Sequence, residues 1–193
     1  MNKRIKNLII DSILLAVLII ASKISIYTGF VPFTLQILVV LIISLLLDYK
    51  ESLIVLGTYV LIGLLGIPVF SSNAAGIAAL ITPSFGFVIG FLVMSLIIPL
   101  LKRKLKQKIN NQFLLNLIPS LIGLIIDYAF GFIYALFLYK ILMVLKTEMT
   151  VLKILLNFVI LFIPFDLVKC VLSSIIVERL EKSNIIEVDQ SEQ

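Results

Sequence analysis

From Phe113 to Tyr139 the chain carries a single charged side chain, Asp127, and apolar runs of the same character recur along nearly its whole length. A helix needs about 20 predominantly apolar residues to cross the hydrocarbon of a bilayer, and runs of this kind read as membrane spans. With charges and Pro/Gly as punctuation, six segments emerge, at approximately 7–27, 33–47, 51–67, 84–101, 112–139 and 150–180. The second and third are short, which predicts tilted or partly inserted helices packed against protein. The last two are long, which predicts tilt or helical extension beyond the bilayer. Soluble domains are about half apolar and about a quarter charged. Here 61% of the residues are hydrophobic and 14% charged, so the expected fold is an all-α integral membrane protein with six transmembrane helices. One membrane domain, 1–182, followed by a polar tail, 183–193, accounts for the chain.

The inventory excludes several chemistries. There is no histidine, the commonest general base and metal ligand, and the single cysteine, Cys170, rules out an internal disulfide. A serine hydrolase would need a base for its nucleophile, and no serine sits in a Gly-x-Ser-x-Gly elbow. Neither catalytic nor metal-ligating residues are expected. Lys3, Arg4 and Lys6 precede an apolar run ending near Ser22; its spanning length favours a first transmembrane helix over a cleavable leader. Placing both termini in the cytoplasm puts Lys50, the basic run 102–108, Arg179 and Lys182 inside, leaving Lys140, Lys146 and Lys153 outside. That asymmetry obeys the positive-inside rule, which makes 102–108 a topology anchor rather than a nucleic-acid site.

Against this background three ionisable groups stand out. Asp166 and Lys169 lie three residues apart in Ile163-Pro164-Phe165-Asp166-Leu167-Val168-Lys169, and Asp127 lies in the preceding span. Charges inside a membrane are expensive unless they meet partners or a polar cavity, so they mark function by default. At about 1.5 Å per residue, Asp127 is ~22 Å from the cytoplasmic start of its span and Asp166 ~24 Å from the external start of its own. Both fall near the middle of the bilayer. Asp166 and Lys169 share a helix face, and Pro164 is expected to bend the helix just before them. Lys23 is placed to point outward at a similar level. Two uncharged loops face outside: 27–36, ending in the amide of Gln36, and 66–76 with 82–86, rich in small and polar residues. The residues alone leave two readings open, an Asp166–Lys169 pair that neutralises itself or an outward-opening pocket for a small polar solute.

Four motifs occur together in order: Val31-Pro32-Phe33-Thr34-Leu35-Gln36, then Tyr59 through Phe70, then Pro83-Ser84-Phe85-Gly86-Phe87, and finally Pro164-Phe165-Asp166-Leu167-Val168-Lys169. In combination they resemble the BioY family, the biotin-binding S components of energy-coupling factor (ECF) transporters, across essentially the whole membrane region. Ser71-Ser72-Asn73-Ala74-Ala75-Gly76 stands where that family typically has a glycine-rich loop, and Phe165 where it has glycine, which adds bulk near the expected ligand.

The resemblance implies a six-helix S-component fold that captures biotin outside the cell membrane. It also implies separate partners, a transmembrane coupling subunit and two ATPase subunits, since this sequence has no Gly-x-x-x-x-Gly-Lys-Ser/Thr loop. Small residues at Ser12 and Ala16, spaced i,i+4, suit docking to the coupling subunit. For the ligand, Asp166, Asp127 and Lys169 match the donors and acceptor of a ureido ring. Phe33, Tyr59, Phe70 and Phe85 match its apolar parts, and Asn73 or nearby amides match its carboxylate. Gln36 adds a further polar contact. Two alternatives stay open, an S component for another vitamin and a proton-coupled secondary transporter. No cofactor is implied.

Overall fold

The computed structural model describes residues 3–27, 31–72, 74–141 and 149–183. Helix α1 (Lys3–Lys23) is 21 residues long, about 31 Å, close to the thickness of a hydrocarbon core. Leu18, Ala21 and Ser22 turn inward, while Leu8, Ile13, Val17 and Ile20 stay exposed. In water such a surface would be a liability; against lipid it carries no cost.

After α1 the chain doubles back as an antiparallel hairpin of β1 (Ser25–Tyr27) and β2 (Pro32–Thr34), with Ile26 opposite Phe33. The loop expected at 27–36 is therefore partly strand, and the fold is mostly helical rather than all-α. So short a pair is unstable alone. It persists because the ladder is extended by the Leu35 amide donating to Ile24 O at 3.3 Å, and because Phe33 stacks on Phe162 at 4.8 Å.

Helix α2 (Gln36–Leu46) is apolar nearly all round, and a helix of that kind belongs in an interior. Val40, Leu41 and Ile43 are completely buried. Asp48 then starts α3 (Tyr49–Leu64): one carboxylate oxygen accepts from the Lys50 and Glu51 amides, each at 2.8 Å, satisfying donors that have no partner inside the helix. At about 17 and 24 Å, α2 and α3 are the short pair that the sequence predicts. Beyond α3, Gly66 adopts φ +104°, a left-handed conformation that other residues rarely enter. The loop that follows includes a single helical turn, α4 (Ile77–Leu80).

Two long helices, α5 (Phe85–Leu105) and α6 (Gln112–Leu136), pack antiparallel. Their backbones approach so closely that a Cβ on Gly86 would fall 2.5 Å from Tyr134 Cβ, the small-residue contact typical of membrane helices. The end of α6 widens into a π turn through Ile141. The last expected span is not one unbroken helix. It begins as α7 (Val151–Leu155), widens through 156–160, turns at Leu161 and Phe162, and restarts as α8 (Ile163–Lys182). Pro164 sits in the first turn of α8, directly after the turn at Leu161 and Phe162, where its missing N–H leaves no gap in that helix's own bonding.

Helix α2 is the hub, contacting α1, α3, α5, α6 and α8. At the opposite end of α5 from α4, Lys102 Nζ bridges Glu181 Oε1 at 2.7 Å and Leu45 O at 2.8 Å, while Gln112 Nε2 donates to Glu181 Oε2 at 2.5 Å. Among the described residues four helical stretches are long and apolar enough to cross a membrane, Arg4–Lys23, Phe85–Leu105, Gln112–Lys140 and Val151–Lys182.

Candidate functional site

The break before α8 sets the site. Because the helix begins at Ile163, Asp166 and Lys169 occupy its opening turns, facing inward with only 6% and 8% exposure. The Lys169 ammonium is paired with a carboxylate and a carbonyl. It reaches Asp166 Oδ1 at 2.6 Å and Thr34 O at 2.7 Å, and lies 5.0 Å from the centroid of the Phe33 ring. Asp166 Oδ2 accepts from the Tyr128 hydroxyl at 2.7 Å. Next to Tyr128 on α6, Asp127 is 3% exposed, and its Oδ1 has no hydrogen-bond partner among the described residues. A buried polar atom left in that state is costly, and that cost is recovered if a ligand donates to it. Room for this side chain comes from Gly90 of α5, where a Cβ would lie 2.3 Å from Asp127 Oδ1.

Gln36, the first residue of α2, supplies the facing wall. Its Nε2 donates to the Tyr59 hydroxyl at 3.0 Å, and Tyr59 in turn donates to Val69 O at 2.9 Å. The same carbonyl accepts from Ser22 Oγ at 2.5 Å, and Lys23 Nζ donates to Phe70 O at 2.7 Å. These bonds tie the loop after α3 to α1, α2 and α3. Between the walls lies a partly open cavity. Thr34, Gln36, Ser71, Ser84, Asp127, Tyr128, Asp166 and Lys169 supply its polar lining, and Phe87, Val88, Phe91 and Phe162 are among its apolar lining residues. A few convergent polar groups in a mainly apolar cleft are what small-ligand sites consist of.

Four of the residues singled out from sequence therefore meet at one cavity: Asp127, Asp166, Lys169 and Gln36. Tyr59 stands one layer behind Gln36, fully buried. Phe33 sits beneath Lys169, edge-on to Phe165 at 4.6 Å. Phe70 and Phe85 continue an aromatic row from Tyr59, with centroids 5.5 and 5.9 Å apart, behind the loop rather than on the cavity surface. Asn73 lies outside the described residues. Lys23 reaches the loop carbonyl instead of the cavity. Ser12 and Ala16 are exposed on α1, with Ser12 Oγ bonded to Leu8 O at 2.7 Å. Sequence reasoning missed Tyr128, Thr34 and Phe162. Of these only Tyr128 carried a signal, a polar-tipped aromatic adjoining an intramembrane carboxylate.

A family model described as the BioY family matches residues 1–185. The chain is 31% identical over 185 residues to a biotin transporter BioY of Thermotoga maritima, covering 93% of this chain and 98% of the relative. It is 29% identical over 190 residues to a biotin transporter BioY of Lactococcus lactis, covering 97% and 96%. A crystal structure of the S-component for biotin from an ECF-type ABC transporter superposes with a TM-score of 0.82 at 30% identity, covering 94% of this chain and 93% of the other. With four helical stretches able to span a bilayer and transporters among its relatives, this is a multi-pass membrane protein. Matched along nearly its full length by family model, by relatives and by a solved fold, the chain belongs to the BioY family.

Proposed function

We propose that the protein is the substrate-capture subunit of an ATP-driven ECF transporter, binding biotin from outside in the cavity between α2, α6 and α8. The observation that carries this reading is the buried Tyr128–Asp166–Lys169–Thr34 network, with the unpartnered Asp127 oxygen beside it, inside an otherwise apolar cleft. A ureido ring offers two N–H donors and one acceptor. Asp166 and Asp127 accept its protons, while Gln36 has amide capacity left beyond its bond to Tyr59. The fused rings and valerate chain lie against Phe87, Phe91 and Phe162. Tyr59 supports Gln36, and Phe33 positions Lys169.

On this reading α1, α2, α3, α5, α6 and the α7–α8 unit are the six membrane helices, residues 1–182 form one domain, and both termini and the 183–193 tail are cytoplasmic. A transmembrane coupling subunit and two ATPase subunits supply the energy, docking along Ser12 and Ala16. Calorimetric titration of the detergent-solubilised protein tests the capture role. Biotin should bind tightly, thiamine and riboflavin should not compete, and Asp166→Ala or Lys169→Ala should each weaken binding at least tenfold. Unchanged affinity in both variants would remove these residues from the site, and displacement by another vitamin would change the solute.

A further inference from the structure

We infer that Ser71 and Ser84 form the carboxylate-recognising end of the site and make the protein selective for an ionised side-chain carboxylate. The inference rests on the biotin reading above and adds an orientation to it. The ammonium on the α8 wall is already charge-paired. Lys169 donates to Asp166 Oδ1 and to Thr34 O and lies over the Phe33 ring, and the carboxylates of Asp166 and Asp127 line the cavity beside it. A ligand carboxylate placed there would add a third anionic group to one ammonium in a desolvated setting, an arrangement that like-charge repulsion opposes.

Uncommitted donors lie instead on the loop side of the cavity. Ser71 Oγ has no hydrogen-bond partner among the described residues, and Ser71 lines the cavity on the loop that Ser22, Lys23 and Tyr59 hold in place. Ser84, which also lines the cavity, directs its hydroxyl at Thr82 Oγ1 over 3.4 Å. That is a long, weak bond for two oxygens. Thr82 does not depend on it, because its own hydroxyl donates to Ala79 O at 2.6 Å. Ser84 is therefore free to turn its proton to a ligand without leaving a buried group unpaired. Two neutral hydroxyls bind an anion through charge-assisted hydrogen bonds, which are stronger than those to a neutral amide. The ureido ring then lies toward α6 and α8, with the valerate carboxylate toward the 71–84 side.

Calorimetric titration of wild type, Ser71→Ala, Ser84→Ala and the double variant with biotin and with biotinamide tests the assignment. Wild type should prefer biotin over the amide by tenfold or more. Each single variant should lose about tenfold for biotin and the double variant more, while affinity for the amide changes less than threefold and so reports an intact fold. Equal loss for both ligands would assign the serines a merely structural role and overturn the inference. So would variants that bind both ligands as wild type does. Failure of wild type to bind biotin at all would instead overturn the biotin reading beneath it.

Discussion

Asp127 and Tyr128 are neighbours in sequence with different tasks. The Tyr128 hydroxyl spends its proton on Asp166 Oδ2, fixing that carboxylate from the side opposite Lys169. Tyr128→Phe should preserve packing yet leave Asp166 free to rotate, weakening biotin about tenfold, roughly the worth of one hydrogen bond to a charged group; titration against wild type checks it. Asp127 depends on the missing side chain at position 90, since a Cβ there would lie 2.3 Å from its Oδ1 and 3.0 Å from its Cα. Gly90→Ala should therefore push α5 and α6 apart, with an overpacking cost of about 1–3 kcal/mol, seen as a lower melting temperature in detergent together with weaker biotin binding. Retention of both would mean that the helices separate freely. The intramembrane charges were legible from sequence because hydrocarbon makes any charge conspicuous. Tyr128 was signalled only by its place beside Asp127, and Thr34 and Phe162 not at all, because neither residue type stands out until folding brings Thr34 O to Lys169 and Phe162 to Phe33.

The helices themselves were readable from apolar run length, while the caps that start α3 and α6, Asp48 and Asn111, emerge only in the structure. Two further features were hidden. Strands of three residues leave too short a pattern to detect, and the β1–β2 pair is held by tertiary contacts such as Phe33 on Phe162. The turn at Leu161–Phe162 arises where the Leu161 amide bonds back to Leu156 O at 3.1 Å, a five-residue loop that apolar composition does not announce. The far ends of α2, α5, α6 and α8 are joined through Lys102, Gln112 and Glu181, with the Lys102 and Glu181 side chains only 14% and 17% exposed. Lys102→Met should leave Glu181 without its cation and cost about 1.5–3 kcal/mol. The expected readout is a melting temperature lowered by several degrees with biotin affinity within twofold of wild type. A simultaneous loss of affinity would show that this end is coupled to the cavity.

On the proposed reading the protein captures its solute and partner subunits supply the free energy to accumulate it. If the exposed Ser12 and Ala16 face of α1 meets a coupling subunit, replacing both with Leu should abolish uptake in cells carrying the energising subunits while leaving biotin affinity intact. Concentrative uptake by the purified chain alone in liposomes, driven by a pH gradient, would instead make it a secondary transporter. The loop after α3 is gripped through its main chain: Ser22 and Tyr59 hold Val69 O, Lys23 holds Phe70 O, and Gly63 O accepts from the Gly76 amide at 2.8 Å. Carbonyls and amides are common to almost every amino acid, so the path of this segment survives exchange of the side chains at 71 and 72. If the side chains of this stretch set selectivity, as inferred for Ser71, architecture and selectivity are separate, and a lineage can retune what it takes up by point mutation without rebuilding its bundle.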